Sequence, residues 1–112
     1  MPRYDNVEDA AVRALLEQAT TAMREGDPTS AVRTCCDAFL MLIERAPDLL
    51  EANLPADEKI HHQQFPRLGA NLYGVDGQPE IRFERERFSL SDAITYLDFT
   101  TDNALRLQKA AQ

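Results

Sequence analysis

The chain has no tryptophan, four glycines and only two cysteines among its 112 residues. The two cysteines, Cys35 and Cys36, are adjacent in the sequence, so they cannot form a relaxed disulfide with each other or close a loop. This excludes a disulfide-stabilised secreted domain and predicts a cytoplasmic protein. No apolar run approaches the roughly 18 residues of a membrane-spanning helix, so we expect no membrane partner.

Basic residues are also scarce, because 12 Lys and Arg face 19 Asp and Glu, giving a net charge of -7. Proteins that bind nucleic acids normally carry a basic surface, so we do not expect a nucleic-acid partner. The imbalance is uneven: residues 1–60 hold twelve acids and six bases, whereas residues 61–112 hold seven and six. An anion-binding site is therefore expected in the second half rather than the first.

The apolar residues that are present recur at helical spacing. A chain of this length, with 44% hydrophobic residues, predicts one domain, residues 1–112, with a single core. Spacings of three and four predict a first helix from Asp5 or Asn6 to about Glu25. Gly26 is expected to end it, Asp27 to cap a second helix and Pro28 to begin that helix. The second helix is apolar around much of its circumference, so we predict that it lies at the centre of the fold.

The middle of the chain has weaker periodicity. We predict short helices near 47–54 and 55–65, then a loop at 66–80 with three glycines and two prolines. Alternation at the start of 81–88 hints at an extended piece, but no second strand pattern is evident to pair with it, so we predict no sheet.

The last helix is expected to begin after Ser89, with Asp92 completing a capping box, and to end near Lys109. Its predicted buried stripe consists of Leu90, Ala93, Ile94, Leu97, Thr101, Ala104 and Leu105. The predicted fold class is therefore all-α: an antiparallel four- to five-helix bundle with a long loop before the last helix.

Arginine and aromatic residues cluster in the second half of the chain. Arginine beside aromatic rings is a composition that binds phosphates and stacked bases. Glu84 and Glu86 interleave with the arginines and nearly cancel their charge, so a solvated segment is the alternative. The candidate ligand- or anion-binding residues are Arg67, Tyr73, Arg82, Arg85 and Arg87.

Aromatic residues are also enriched at subunit interfaces. We therefore assign Tyr96 and Phe99 as candidate interface residues. The expected assembly is a homodimer formed through exposed parts of the first and last helices, with another protein as a possible partner.

Metal binding and catalysis find little support in the sequence. His61 and His62 each follow an acid by four residues, but the two pairs point about 100° apart on a helix and cannot hold one ion together. Cys35 and Cys36 lie on an apolar stripe, so we assign them to the core. No glycine-rich phosphate loop, nucleophile elbow or paired-cysteine zinc spacing occurs. We therefore predict no metal and no cofactor, and an enzyme is not favoured.

Two segments nevertheless resemble a known family. The stretch from Gly26 to Phe39 and the start of the last helix at Phe88–Ala93 are similar to the HEPN-like helical bundles. That resemblance implies a four- or five-helix bundle, frequent homodimers and, in many members, RNA cleavage or a role in prokaryotic defence. The ribonuclease members carry an arginine followed four to six residues later by histidine. Here no arginine stands at 54–57 before His61 and His62, so the resemblance implies a non-catalytic member.

The leading functional prediction is thus a cytoplasmic, non-catalytic helical interaction module that self-associates. One alternative is an RNA- or nucleotide-directed hydrolase that uses the arginine-rich segment 82–87 with His61 or His62. The other is a small-molecule binder whose pocket is lined by the 66–80 loop.

Overall fold

The computed structural model of the protein describes residues 3–48, 69–75 and 78–110, except for the side chain of Val75. A short 3-10 turn at Arg3–Asn6 precedes helices α1 (Ala10–Arg24) and α2 (Pro28–Arg45). Strands β1 (Ala70–Val75) and β2 (Gln78–Phe83) form a hairpin, and helix α3 (Leu90–Ala110) follows it.

The joint between α1 and α2 forms as the sequence predicts. Gly26 adopts a φ of 81°, in the left-handed region where a side chain is disfavoured. The Gly26 N–H donates to Met23 O at 3.1 Å and the Asp27 N–H to Ala22 O at 2.9 Å, which is a Schellman motif. Asp27 then caps α2 by accepting a 3.1 Å hydrogen bond from the backbone of Ser30, and Pro28 is the first helical residue.

The start of α1 differs from the prediction. The helix begins at Ala10, not at Asp5 or Asn6, because Asp9 is its N-cap. The Asp9 carboxylate accepts hydrogen bonds from the backbone of Ala11 at 3.1 Å and Val12 at 3.2 Å. The apolar spacing predicts a helix that includes Asp9, whereas Asp9 lies just before the helix and caps it.

Helix α2 is the central element, as predicted, because it packs against α1, α3 and β2. A helix contacted on several sides must bury a wide face, and more than a third of α2 is buried. Its buried residues are Ala31, Val32, Cys35, Cys36, Ala38, Phe39, Leu42 and Ile43.

Helix α3 begins with the predicted capping box. The Asp92 N–H donates to Ser89 Oγ and the Ser89 N–H donates to Asp92 Oδ2, both at 3.1 Å. Its buried stripe, however, is rotated from the predicted one. Leu90 and Ile94 are 53% and 48% exposed, whereas Tyr96 is 1% exposed. Tyr96 takes the core position because its ring packs edge-on against Phe88, with ring centroids 6.3 Å apart.

The predicted all-α bundle of four to five helices is wrong. The described chain contains three helices and a two-stranded antiparallel sheet, with Ala70 opposite Phe83 and Val75 opposite Gln78. Much of the segment predicted to be a long loop is strand, and the extended piece suggested near residue 81 has a partner after all. The helices predicted at 47–54 and 55–65 lie almost wholly outside the described residues.

A hairpin signal in the sequence was missed. The register leaves two residues between the strands, and in the sequence these are Asp76 and Gly77. Asp-Gly between apolar stretches is typical of two-residue hairpin connections. The glycines and prolines of this segment favour a loop when they are counted together, but one of them, Pro79, occupies an outer strand where proline is tolerated.

Candidate interaction site

The hairpin and the link that follows it contain most of the predicted site residues. On the outer face of the hairpin, the Arg82 guanidinium lies 4.1 Å from the centre of the Tyr73 ring. The same guanidinium donates to Glu80 Oε2 from Nη2 at 2.9 Å and from Nε at 3.1 Å. Arg82 and Tyr73, both candidate anion-binding residues, thus lie in contact, but a carboxylate of the same strand already pairs with the arginine.

Arg85 lies in the link between β2 and α3. Its Nη2 is 3.6 Å from Asp92 Oδ2, and its guanidinium lies 5.2 Å from the centre of the Phe88 ring. These contacts attach the link to the first turn of α3. Arg87 is exposed, and Arg67 lies outside the described residues.

A third arginine, Arg33 of α2, was not among the predicted site residues. Its guanidinium lies 4.4 Å from the centre of the Phe83 ring. Phe83 in turn packs edge-on against Phe88, with centroids 6.1 Å apart. These side chains connect the hairpin to both α2 and α3. We call them the junction cluster, which consists of Arg33, Phe83, Arg85 and Phe88. Arg33 and Phe83 are fifty positions apart, so no local sequence pattern relates them.

The link is held against the start of α2 as well. The Phe88 N–H donates to Thr29 Oγ1 at 3.0 Å, and Phe88 is buried. Close packing at this point also requires Gly69, which has a φ of 100° and would place an added Cβ 2.9 Å from Phe88 Cε1. The hairpin base is therefore fixed relative to the helices by aromatic packing, a hydrogen bond and one glycine.

Local charge around the arginines is nearly balanced. Glu80 binds Arg82, Asp92 lies beside Arg85, and the Glu84 carboxylate accepts a hydrogen bond from the buried amide of Asn71. An anionic ligand would have to compete with Glu80 for Arg82 and with Asp92 for Arg85. Anion binding at these residues stays a prediction.

The two predicted interface aromatics differ in burial, and their role at an interface stays a prediction. Tyr96 is in the core. Phe99 is half-buried, and its ring centroid lies 5.4 Å from that of Phe39. The exposed apolar residues of α3 are instead Leu90 and Ile94, one turn apart.

The cysteines are core residues, as predicted. Both are free thiols and both are buried. Burial raises the pKa of the Cys35 thiol to about 12, and it raises the pKa of Cys36 as well, so neither is a thiolate near neutral pH. His61 and His62 lie outside the described residues, and within residues 3–48, 69–75 and 78–110 no group of three or more His, Cys, Asp or Glu is placed to hold a metal ion.

Among the described residues, no strand pairs with the outer edge of β2. The Glu84 N–H donates to Gly69 O at 2.6 Å, so Gly69 and Glu84 are a hydrogen-bonded pair. Because hydrogen-bonded and non-hydrogen-bonded pairs alternate in an antiparallel ladder, the backbone groups of residues 79, 81 and 83 point away from β1. Pro79 fits this pattern, since the N–H that it lacks would face outward. Every residue of β2 is exposed or half-buried, whereas Ala70, Asn71 and Leu72 of β1 are buried.

A groove of about 430 Å³ lies at the opposite end of α2, between the segment before α1 and the last turns of α3. Val7, Leu42 and Leu107 supply apolar lining. At its rim, Arg45 Nε donates to Asp9 Oδ2 at 2.8 Å, and this hydrogen bond lowers the pKa of the Asp9 carboxyl. The groove combines an apolar lining with a rim that carries the Asp9–Arg45 ion pair.

The chain matches no family model, no curated protein and no solved structure. The resemblance to HEPN-like bundles therefore stays a prediction. No helix in the described part of the chain is long and apolar enough to cross a membrane.

Proposed function

We propose that this protein is a non-catalytic interaction module that associates with a second copy of itself. The observation that supports this function is the open hairpin. Within the described residues, β1 and β2 pair only with each other, and β2 lies at the surface along its whole length. A two-stranded sheet is only marginally stable by itself, and an open edge presents backbone groups to which another chain can add.

Other features of the described residues agree with a binding role rather than a catalytic one. The two thiols are buried and protonated, and Arg82 and Arg85 both lie beside carboxylates. The hydrolase alternative requires Arg82, Arg85 or Arg87 to bind a phosphate. The carboxylates beside Arg82 and Arg85 do not support that alternative. Two free thiols also suit a reducing compartment, so we propose the cytoplasm as the location.

Sedimentation equilibrium of the complete chain tests self-association directly. We expect the apparent mass to rise from the 12.6 kDa of one chain towards twice that value as the concentration increases to tens of micromolar. A mass that stays at one chain over the whole range would overturn the proposed function.

A small-molecule binder is the second candidate, and the groove beside Leu42 and Leu107 favours it more than the 66–80 segment does, because strands β1 and β2 occupy much of that segment. An apolar ligand that fills the groove should raise the thermal unfolding midpoint. Replacing Ala104, which lines the groove, by Phe should abolish that rise, whereas replacing the exposed Ala10 by Phe should not. A rise that survives Ala104→Phe would exclude this groove as the binding site.

A further inference from the structure

The open edge of β2 is suited to a particular occupant. Its outward backbone groups are the carbonyl of Pro79 and both the N–H and the carbonyl of Ile81 and Phe83. Within the described part of the chain no hydrogen bond reaches these groups. Charged residues and proline on an edge strand commonly discourage pairing with other chains. Whether Pro79, Glu80 and Arg82 do so here depends on the sequence of the incoming strand.

The sequence of β2 is complementary to itself in antiparallel orientation. If two copies of β2 pair around Ile81, Glu80 of each copy stands opposite Arg82 of the other, and Pro79 stands opposite Phe83. Opposite charges on directly facing residues stabilise antiparallel pairs, whereas like charges destabilise them. The strand therefore carries the charge pattern of a self-pairing segment.

Neighbouring symmetric registers do not have this property. The outward backbone groups belong to odd-numbered residues, so a hydrogen-bonded symmetric pairing must be centred on a residue. Centring on residue 80 places Glu80 opposite Glu80, and centring on residue 82 places Arg82 opposite Arg82. Of the three registers centred on residues 80, 81 and 82, only the one centred on Ile81 places opposite charges on facing residues.

Backbone hydrogen bonding is compatible with that register. With Ile81 opposite itself, the two copies exchange both hydrogen bonds of a hydrogen-bonded pair. Each Phe83 N–H also faces the Pro79 carbonyl of the other copy. The missing N–H of Pro79 removes one bond at each end, so the contact is short but symmetric. Within one chain, Arg82 Nη2 lies 2.9 Å from Glu80 Oε2. In the paired strands, Glu80 and Arg82 of both copies would form a group of four charged side chains of alternating sign.

We propose that two copies of this chain associate by antiparallel pairing of their β2 strands around Ile81, forming a four-stranded sheet. The occupant of the edge is thus a second copy of the same strand, selected by the Glu80–Arg82 pattern. This inference rests on the proposed self-association and assigns it to one surface. The exposed pair Leu90 and Ile94 on α3 is the competing surface.

Charge reversal in the complete chain tests the pairing. Glu80→Arg places Arg opposite Arg82, and Arg82→Glu places Glu opposite Glu80, so each single variant should dimerise at least about tenfold more weakly than the original chain. The double variant, which exchanges the two charges, should dimerise as the original chain does. Mixing the two single variants should yield a heterodimer, because every facing pair is then of opposite sign.

Native mass spectrometry of the mixture identifies the heterodimer, and sedimentation equilibrium measures the dissociation constants. Glu86→Arg and Arg87→Glu are matched controls, because they make the same charge changes just beyond β2 at exposed positions. Circular dichroism of each variant confirms that the single reversals still fold. The double variant keeps one positive and one negative charge on the strand, so the ion pair between residues 80 and 82 can still form within each chain. Normal dimerisation of the double variant would therefore show that the single variants do not dimerise weakly merely because this internal ion pair is lost.

Failure of the strand pairing is distinguishable from failure of the proposed function. If the original chain dimerises, equal dissociation constants for the β2 variants and their controls would overturn the pairing while self-association stands. Loss of the dimer in Leu90→Ser with Ile94→Ser, without any effect of the β2 charges, would assign the contact to α3. A chain that remains a monomer would overturn both proposals.

Discussion

Helix α2 and strand β2 differ in how far they are buried. Helix α2 buries residues along its whole length between α1, α3 and the hairpin, whereas no residue of β2 is fully buried. The helices are held by side-chain burial and capped ends, and the hairpin is held by backbone pairing and the junction cluster. The difference separates the part of the molecule that stabilises the fold from the part that we propose pairs with a second copy.

The energetic consequences of this division differ. A change in the helical core should unfold the whole domain, because the hairpin packs on α2. A change at the hairpin base should loosen the strands while leaving the helices folded, because β2 has no fully buried residue and a two-stranded sheet can open locally. Measurements that separate global from local unfolding therefore test the comparison.

The largest effect is expected for Phe39→Ala. Phe39 is fully buried and packs against Phe99, so removing its ring leaves a cavity and should lower the free energy of unfolding by about 3–5 kcal/mol. Urea denaturation followed by circular dichroism measures the change. Glu44→Ala on the exposed side of α2 is the control and should change little. A loss at Phe39 no greater than at Glu44 would contradict the central role of α2.

A smaller and more local effect is expected for Gly69→Ala. The positive φ and the close approach of an added Cβ to Phe88 should destabilise the hairpin base by about 1–3 kcal/mol. Hydrogen exchange should accelerate at the inward-pointing amides of Tyr73 and Arg82 more than in α2.

Gly26→Ala is the matched control for that variant. Gly26 also has a positive φ, but an added Cβ there meets nothing within 4 Å. Gly26→Ala should lower the free energy of unfolding by only about 1 kcal/mol, which is the cost of holding alanine in the left-handed backbone conformation. Equal acceleration of exchange in the strands by both variants would show that the junction cluster does not hold the hairpin.

The smallest effect is expected at the cap of α1 and depends on pH. The hydrogen bond from Arg45 holds the pKa of Asp9 below its usual value of 3.8, so ionised Asp9 stabilises the folded state above that pH. The contribution is lost as the pH falls through the lowered pKa. Because the pair is partly exposed, Asp9→Asn should cost only about 0.5 kcal/mol near neutral pH.

Thermal or urea unfolding of both proteins across the acid range checks the sign. The difference between the original chain and Asp9→Asn should shrink as the pH falls below 3.8. Asp9→Asn and Arg45→Gln should not be additive, since each removes the same ion pair. A difference that grows with acidity would contradict the assigned direction of the pKa.

Features that depend on neighbours in sequence could be predicted. The end of α1 at Gly26, the cap of α2 at Asp27 and the capping box at Ser89 are all confirmed, because each is formed by residues within a few positions. The burial of Cys35 and Cys36 also followed from the apolar stripe that contains them.

Features that depend on distant residues could not be predicted in the same way. The junction between Arg33 and Phe83 requires the hairpin to fold onto α2, and no spacing in the sequence expresses that contact. The burial of Tyr96 in place of Leu90 and Ile94 depends on the position of Phe88 after the link has packed. The hairpin itself was predictable in part, since Asp76-Gly77 is a hairpin dipeptide, but Gly74 in β1 and Pro79 in β2 are residues that usually disfavour strands.

The sequence by itself determined the helix boundaries at the α1–α2 joint, the start of α3 and the placement of the cysteines in the core. It also determined the Glu80-Ile81-Arg82 pattern that makes β2 complementary to itself. Only the tertiary structure decided that β2 pairs with β1 on one side, which face of α3 is buried and which arginines meet aromatic rings. These choices depend on contacts between residues far apart in the chain, where packing rather than local propensity selects among the patterns that the sequence permits.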